Sequence, residues 1–132
     1  MHESWWQRGL RWLSDDGLWP DACVLIHGDL HPGHTLVDNA GRITGILDWT
    51  DAEVGDPGQE FIECCRKFEP QFLDDLLSAY LLHGGKGWPG LRPNIEEGIA
   101  FAPMYLGLLG LDSEQPEYVE RGTKALAAPT RA

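Results

Sequence analysis

The 132 residues suffice for one compact domain that buries roughly two thirds of its unfolded-chain surface, and are too few for two ordinary domains. With 21 acidic against 10 basic side chains the formal charge is −11, which repels a phosphate backbone and argues against nucleic acid as a partner. Apolar residues at 42% and six tryptophans exclude a disordered chain. No apolar run nears the roughly 18 residues of a membrane span.

Apolar side chains recur at helical spacing over 4–14 (Trp5, Trp6, Leu10, Leu13), and Asp15-Asp16-Gly17 with Pro20 supplies a stop, so a short amphipathic helix is expected there. A continuous apolar run over 23–26 has strand length. Segments 35–38 and 42–47 flank an Asn39-Ala40-Gly41 turn and read as a β-hairpin beside that strand. Asp56-Pro57-Gly58-Gln59 combines a capping acid, a proline at the first helical position and an amide three residues after the cap. A helix starting at Pro57 should bury Phe61, Ile62, Cys65 and Phe68.

A second helix is expected over 70–83, with Phe72, Leu73, Leu76, Leu77, Tyr80 and Leu81 on one face and Gly84-Gly85 ending it. The stretch 84–93 reads as a loop. A third helical pattern over 94–111 should kink at Pro103, a last helix should span 113–126, and 127–132 should fray. Cys23, Cys64 and Cys65 form neither a disulfide framework nor a CxxC zinc pattern, which points to a reducing cytoplasm. Cys64 and Cys65 read as small apolar helix residues, and His83 as a helix-end residue favoured by the dipole.

The chemistry concentrates in His27-Gly28-Asp29-Leu30-His31-Pro32-Gly33-His34. If the strand continued, His27, Asp29 and His31 at i, i+2, i+4 would share one face and could hold zinc. Gly28 and Pro32-Gly33 instead favour a loop beginning near Ile26. At the far end of the hairpin Ile46-Leu47-Asp48-Trp49 places a second carboxylate at a strand end. Asp29, His34 and Asp48 are thereby brought toward one ion or polar substrate, and paired carboxylates favour a hard cation such as Mg2+. No glycine-rich phosphate loop of either common pattern occurs.

The ordered set of this His-Gly-Asp loop, a hairpin, Ile46-Leu47-Asp48-Trp49 and Gly55-Asp56-Pro57 resembles the catalytic region of the aminoglycoside-phosphotransferase-like small-molecule kinases. His34 and the run from Asp48 to Pro57 look most like the macrolide 2′-phosphotransferases within that superfamily. The resemblance is specific over about residues 12–61. It implies an α+β fold: a protein-kinase-like C-terminal lobe, mostly helical, whose small β-hairpin carries the catalytic and metal-binding loops.

The same resemblance implies the roles. Asp29 would accept or orient the proton of the acceptor hydroxyl, and Asp48 would hold Mg2+ at the phosphates of ATP or GTP. His34 stands where the wider family places an Asn metal ligand. His27 would hold the loop through the backbone, and Asp56 would cap the helix that follows. The acceptor would be a hydroxylated small molecule such as a macrolide or aminoglycoside, and Trp88, Met104 and Tyr105 would line its pocket.

Kinases of this class also need a phosphate-covering loop, a strand lysine and a helix glutamate. None precedes Trp5, so residues 1–132 are expected to form a C-terminal lobe without its nucleotide-binding lobe. Trp5 and Trp6 should then be exposed. Two functional expectations follow: a phosphotransferase completed by another lobe, or a non-catalytic remnant.

Overall fold

In the computed structural model, residues 1–65 and 72–130 are described, so Phe68 and Pro70 lie outside the described residues. Helix α1 (Glu3–Ser14) is capped by His2, whose ring accepts the Ser4 N–H, and a 3-10 turn (Asp16–Leu18) follows. Strand β1 (Val24–Ile26) leads through a second 3-10 turn (Pro32–His34) into β2 (Thr35–Val37) and β3 (Ile43–Ile46), and β4 (Glu53–Gly55) comes next. Five helices complete the chain: α2 (Pro57–Cys65), α3 (Phe72–Leu82), α4 (Leu91–Ala100), α5 (Ala102–Asp112) and α6 (Pro116–Ala127). The architecture is α+β and mostly helical.

The strands form two separate antiparallel pairs. β2 and β3 make the expected hairpin, with Thr35 opposite Ile46 and a bulge between Leu36 and Val37. β1 does not lie beside that hairpin. It pairs with β4, Val24 opposite Gly55 and Ile26 opposite Glu53, so the whole hairpin is a loop inserted between two paired strands. This topology carries the residues after Ile26 and those after Ile46 to the same place.

The core lies between α2, α3 and α4, where Phe61, Cys65, Leu73, Leu77, Leu91 and Ile95 pack together. Each comes from the apolar stripe of its helix, the face that a helix must bury to be stable in water. Helix α4 begins at Leu91, earlier than the expected loop over 84–93, because Pro93 falls in the first turn, where its missing N–H has no helical partner to lose.

The single kinked helix expected over 94–111 is two helices, broken at Phe101 rather than at Pro103. Pro103 sits at the start of α5, where its fixed φ suits a helix start and its ring obstructs only the preceding turn. Helices α5 and α6 pack at very close range: a Cβ on Gly122 would stand 2.6 Å from the Pro103 carbonyl oxygen.

The first helix docks on the last segments of the chain. Trp5, expected to be exposed, is only 8% exposed, because its ring meets Phe101 edge-on at 5.4 Å and its Nε1 donates to the Ala128 carbonyl. Trp6 is exposed. Arg8 pairs with Glu97 at 2.6 Å, the His2 N–H donates to the Leu126 carbonyl at 2.7 Å, and the Thr130 N–H donates to Ser4 Oγ at 3.0 Å. The tail through Thr130 is thus tied down where fraying was expected, while the final two residues lie outside the described ones. Among the described residues no helix is long and apolar enough to cross a membrane.

Candidate active site

The site is assembled on the turn after β1 and the end of the hairpin. Gly28 makes the turn: its φ of +84° is a left-handed conformation, and any Cβ there would stand 2.3 Å from the Asp51 carbonyl oxygen. Only glycine fits between the two loops.

His27 is buried beneath them and both of its ring nitrogens are occupied. Nε2 lies 2.8 Å from the Leu47 carbonyl oxygen, which only accepts, so Nε2 carries the proton. Nδ1 then accepts the Asp29 N–H at 3.3 Å. One side chain therefore links the backbone of Asp29 to the residue immediately before Asp48, and the Trp49 ring covers it with centroids 4.8 Å apart.

The same reasoning fixes the other two imidazoles. His34 Nδ1 lies 3.0 Å from the Asp29 carbonyl oxygen and must donate, which leaves the Nε2 lone pair free, 3.8 Å from Asp48 Oδ2. His31 Nδ1 accepts the Gly33 N–H at 3.0 Å, so in the neutral ring the proton sits on Nε2, 3.7 Å from Asp29 Oδ2. The His31 and His34 rings lie 3.9 Å apart. The Asp29 carboxylate, with Oδ2 also 3.5 Å from His34 Nδ1, is about half exposed and open to a ligand.

Asp48 lies across from this loop, because the Leu47 N–H donates to the His34 carbonyl at 2.8 Å and extends the hairpin ladder by one step. Its own backbone is left-handed, with φ 58°, an uncommon conformation for a residue with a side chain and one that clusters at functional sites. The Thr50 hydroxyl donates to Oδ1 at 2.6 Å. Thr50 first, then the nearby His34 and His27, hold the Asp48 carboxyl below its ordinary range, so it is ionised at neutral pH.

These placements decide which metal readings the residues support. The zinc set His27, Asp29 and His31 is not assembled, since neither nitrogen of His27 is free. Among the described residues Asp29, His31 and His34 do bring potential ligand atoms within 4.8 Å of one another. Yet His31 presents an N–H, not a lone pair, to that point. The His34 Nε2 lone pair and Asp48 Oδ2 are the pair that fits a cation, being near enough for bonds of about 2.1 Å to one ion.

Helix α2 holds the His27–His34 loop from below. Asp56 Oδ1 accepts the Gly58 N–H at 2.7 Å and caps the helix, while Oδ2 accepts from Asn94 Nδ2 at 2.9 Å. Asn94, 1% exposed, accepts in turn from Trp12 Nε1 at 2.8 Å. Glu60 Oε2 accepts both the His27 N–H at 2.5 Å and the Gly28 N–H at 3.2 Å, and its Oε1 is buried without a hydrogen bond. Sequence reasoning passed over Glu60 and Asn94. The available signal was polarity on a buried face: Glu60 lies next to Phe61 and one turn before Cys64.

Below the loop, burial first and the charge of Glu60 second push the Cys64 thiol up to about 12, so it stays neutral.

A groove of about 1000 Å³ runs from Asp29 and His31 along α5 and α6, past Tyr105, Leu106, Leu109 and Tyr118. Of the three residues expected to line an acceptor pocket, Tyr105 lies in this groove. Met104 lies with Tyr105 in an adjoining one beside Trp12, Trp19 and Asp56. Trp88 lies in neither; it packs on the helical core and donates from Nε1 to the Leu18 carbonyl at 3.1 Å.

The His27–His34 turn and the facing hairpin end are the segments on which the resemblance to small-molecule phosphotransferases rests. Residues 3–93 match the phosphotransferase enzyme family APH, and the chain belongs to that family. It is 40% identical over 121 residues to the uncharacterized protein YcbJ of Bacillus subtilis strain 168, covering 92% of this chain and 40% of that one. Among solved structures, a macrolide 2′-phosphotransferase type I aligns over 99% of this chain and 42% of its own length, at TM-score 0.78 and 38% identity. Macrolide 2′-phosphotransferase MphH from Brachybacterium faecium aligns over 100% of this chain and 45% of its own, at TM-score 0.74 and 37% identity. A GDP and kanamycin complex of an APH(2″) enzyme, 22% identical at TM-score 0.75, shares the fold. The chain therefore spans less than half the length of these relatives.

Proposed function

We propose that this chain is the acceptor-side, C-terminal lobe of a phosphotransferase that moves the γ-phosphoryl of ATP or GTP to a hydroxyl of a small molecule. The observation that carries the reading is the Asp29 carboxylate, flanked by the His31 and His34 imidazoles, with its backbone N–H held by His27, and opening into a groove walled in part by Leu106 and Leu109. Apolar walls such as Leu106 and Leu109 favour a macrolide over an aminoglycoside as the acceptor. The three cysteines are all free, as a protein working in a reducing cytoplasm would keep them.

In the reaction the acceptor oxygen forms a bond to the γ-phosphorus as the bond to the β–γ bridging oxygen breaks, and the hydroxyl proton passes to Asp29. The nucleoside diphosphate leaves with the electron pair of the broken bond. His27 holds the Asp29 backbone at a set distance from Asp48, and Glu60 holds the turn itself. His34 and Asp48 are the residues that would hold Mg2+, which when bound supplies positive charge to the phosphate oxygens.

The test is phosphoryl transfer to a panel of macrolides and aminoglycosides with Mg2+ and either nucleotide, on the chain alone and with the N-terminal lobe of a macrolide 2′-phosphotransferase supplied in trans. Asp29→Asn should lower transfer by about 10²-fold or more. Equal rates in the two proteins overturn the role of Asp29. Absence of transfer in both arms identifies a folded, non-catalytic remnant.

A further inference from the structure

The groove that holds Asp29 has a second chemical character at its α6 wall. Tyr118, Arg121 and Lys124 recur there every three residues, one face of the helix, and all three line the groove. Glu117 and Glu120 lie four residues before Arg121 and Lys124, the spacing at which a surface helix forms ion pairs by default. Neither pair forms among the described residues. The groove also carries the carboxylates of Asp29 and Glu63, yet neither Arg121 nor Lys124 forms an ion pair with them among the described residues. Both cations are therefore open to an anion at the α6 wall, in the same groove as the apolar Leu106 and Leu109.

We propose that the acceptor carries an anionic group, a carboxylate, sulfate or phosphate, remote from its reacting hydroxyl, and that Arg121 and Lys124 bind it. The acceptor is thus amphipathic: a hydroxyl presented to Asp29, an apolar body along α5, and a negative charge against α6. This rests on the reading of the groove as an acceptor site, and it moves that reading from an intact macrolide lactone to an acidic hydroxylated molecule with an apolar body. Guanidinium and ammonium groups suit the assignment, since both donate charge-assisted hydrogen bonds to oxyanions.

The test is a pair of probes: an intact macrolide and the seco-acid left when its lactone is hydrolysed, which keeps the same sugars and gains a carboxylate and a hydroxyl as the ring opens, charge reversals at Arg121 and Lys124 isolating the carboxylate's part. Dissociation constants are measured on this chain at low salt, with Tyr105 and Tyr118 proton shifts locating the ligand. The seco-acid should bind roughly fivefold tighter, the sum expected of two exposed charge contacts. Arg121→Glu with Lys124→Glu should abolish or invert that ratio, and Lys86→Glu, a charge reversal outside the groove, should leave it unchanged. Equal affinities for lactone and seco-acid overturn the inference while leaving the acceptor groove in place. Binding of neither probe at Tyr105 and Tyr118 overturns the acceptor reading itself. If the double reversal weakens ATP or GTP and not the seco-acid, the two cations serve the phosphoryl donor and the inference falls.

Discussion

The strand-and-loop segment between Val24 and Gly55 and the helical segment that follows it are held together by different forces. In the former most large apolar side chains face outward, Leu25 being 68% exposed and Val54 72%, while Ile26 alone is sealed at 4%. Besides Ile26, what holds that segment in place is polar, namely His27 bridging two loops and Glu60 gripping two backbone amides. In the latter α2, α3 and α4 turn an apolar stripe inward, and Ile95 is 0% exposed. The helices carry the stability, and the site is fastened to them by a few hydrogen bonds to α2. A reactive turn can therefore be positioned closely without a core of its own.

Substitutions test that contrast directly. Ile95→Ala should cost about 3 kcal/mol in urea unfolding, the usual range for emptying a sealed core position, while Val54→Ala should cost under about 0.5 kcal/mol. Equal costs would erase the distinction between the two segments.

The next effect depends on pH. The Cys64 thiol has a folded value of about 12 against an ordinary 9.0, so its neutral form is favoured in the fold. That contribution is whole below the unfolded value and is lost as pH rises between the two. Cys64→Ala should lose less stability than the parent on the alkaline side, by about 2 kcal/mol near pH 11 in denaturation midpoints. Parallel alkaline profiles would show that the thiol is not shielded.

Glu60→Ala removes the acceptor of two backbone amides and should cost about 2 kcal/mol, less than the core cavity. Its sharper signature is local: amide exchange at His27 and Gly28 should speed up while the α4 amides stay protected. Uniform acceleration across the chain would mean that Glu60 supports the helices as much as the loop. The smallest effect is at Thr50→Val, which deletes the hydroxyl bonded to Asp48 and should let that carboxyl rise toward its ordinary value in an NMR titration. An unmoved titration would assign the depression to the Thr50 backbone N–H and the histidines.

The legible parts of this fold were those with a local cause. The amphipathic stripe of α1, the Asn39-Ala40-Gly41 turn and the Asp56-Pro57 cap each show in a few adjacent residues. The three residues of β4 did not, because a strand that short with Val54 facing solvent carries no alternation to read. The break at Phe101 was misplaced because a proline marks where a helix can begin as well as where one bends. At the site, the residues of the loop were readable as a pattern, but their tautomers were not. Those follow from the carbonyls of Leu47 and Asp29, which only the fold brings to the rings. Glu60 and Asn94 stayed hidden because their partners lie more than thirty positions away in the chain.

The docking of α1 also bears on how the molecule forms. Among the described residues, α1 is tied by side chains to residues 94–130 of the helical body: Trp12 to Asn94, Arg8 to Glu97, Trp5 to Phe101 and Ala128, and Ser4 to Thr130. Helix α1 is consequently buried only after the segments of residues 94–130 that follow it have been made. Closing contacts over such spans is the slow step in chain collapse, because the loop entropy is lost before the contact is gained. Until those segments emerge, Trp5 lacks Phe101 and Ala128, and Trp12 has Trp19 but lacks Asn94 and Phe101.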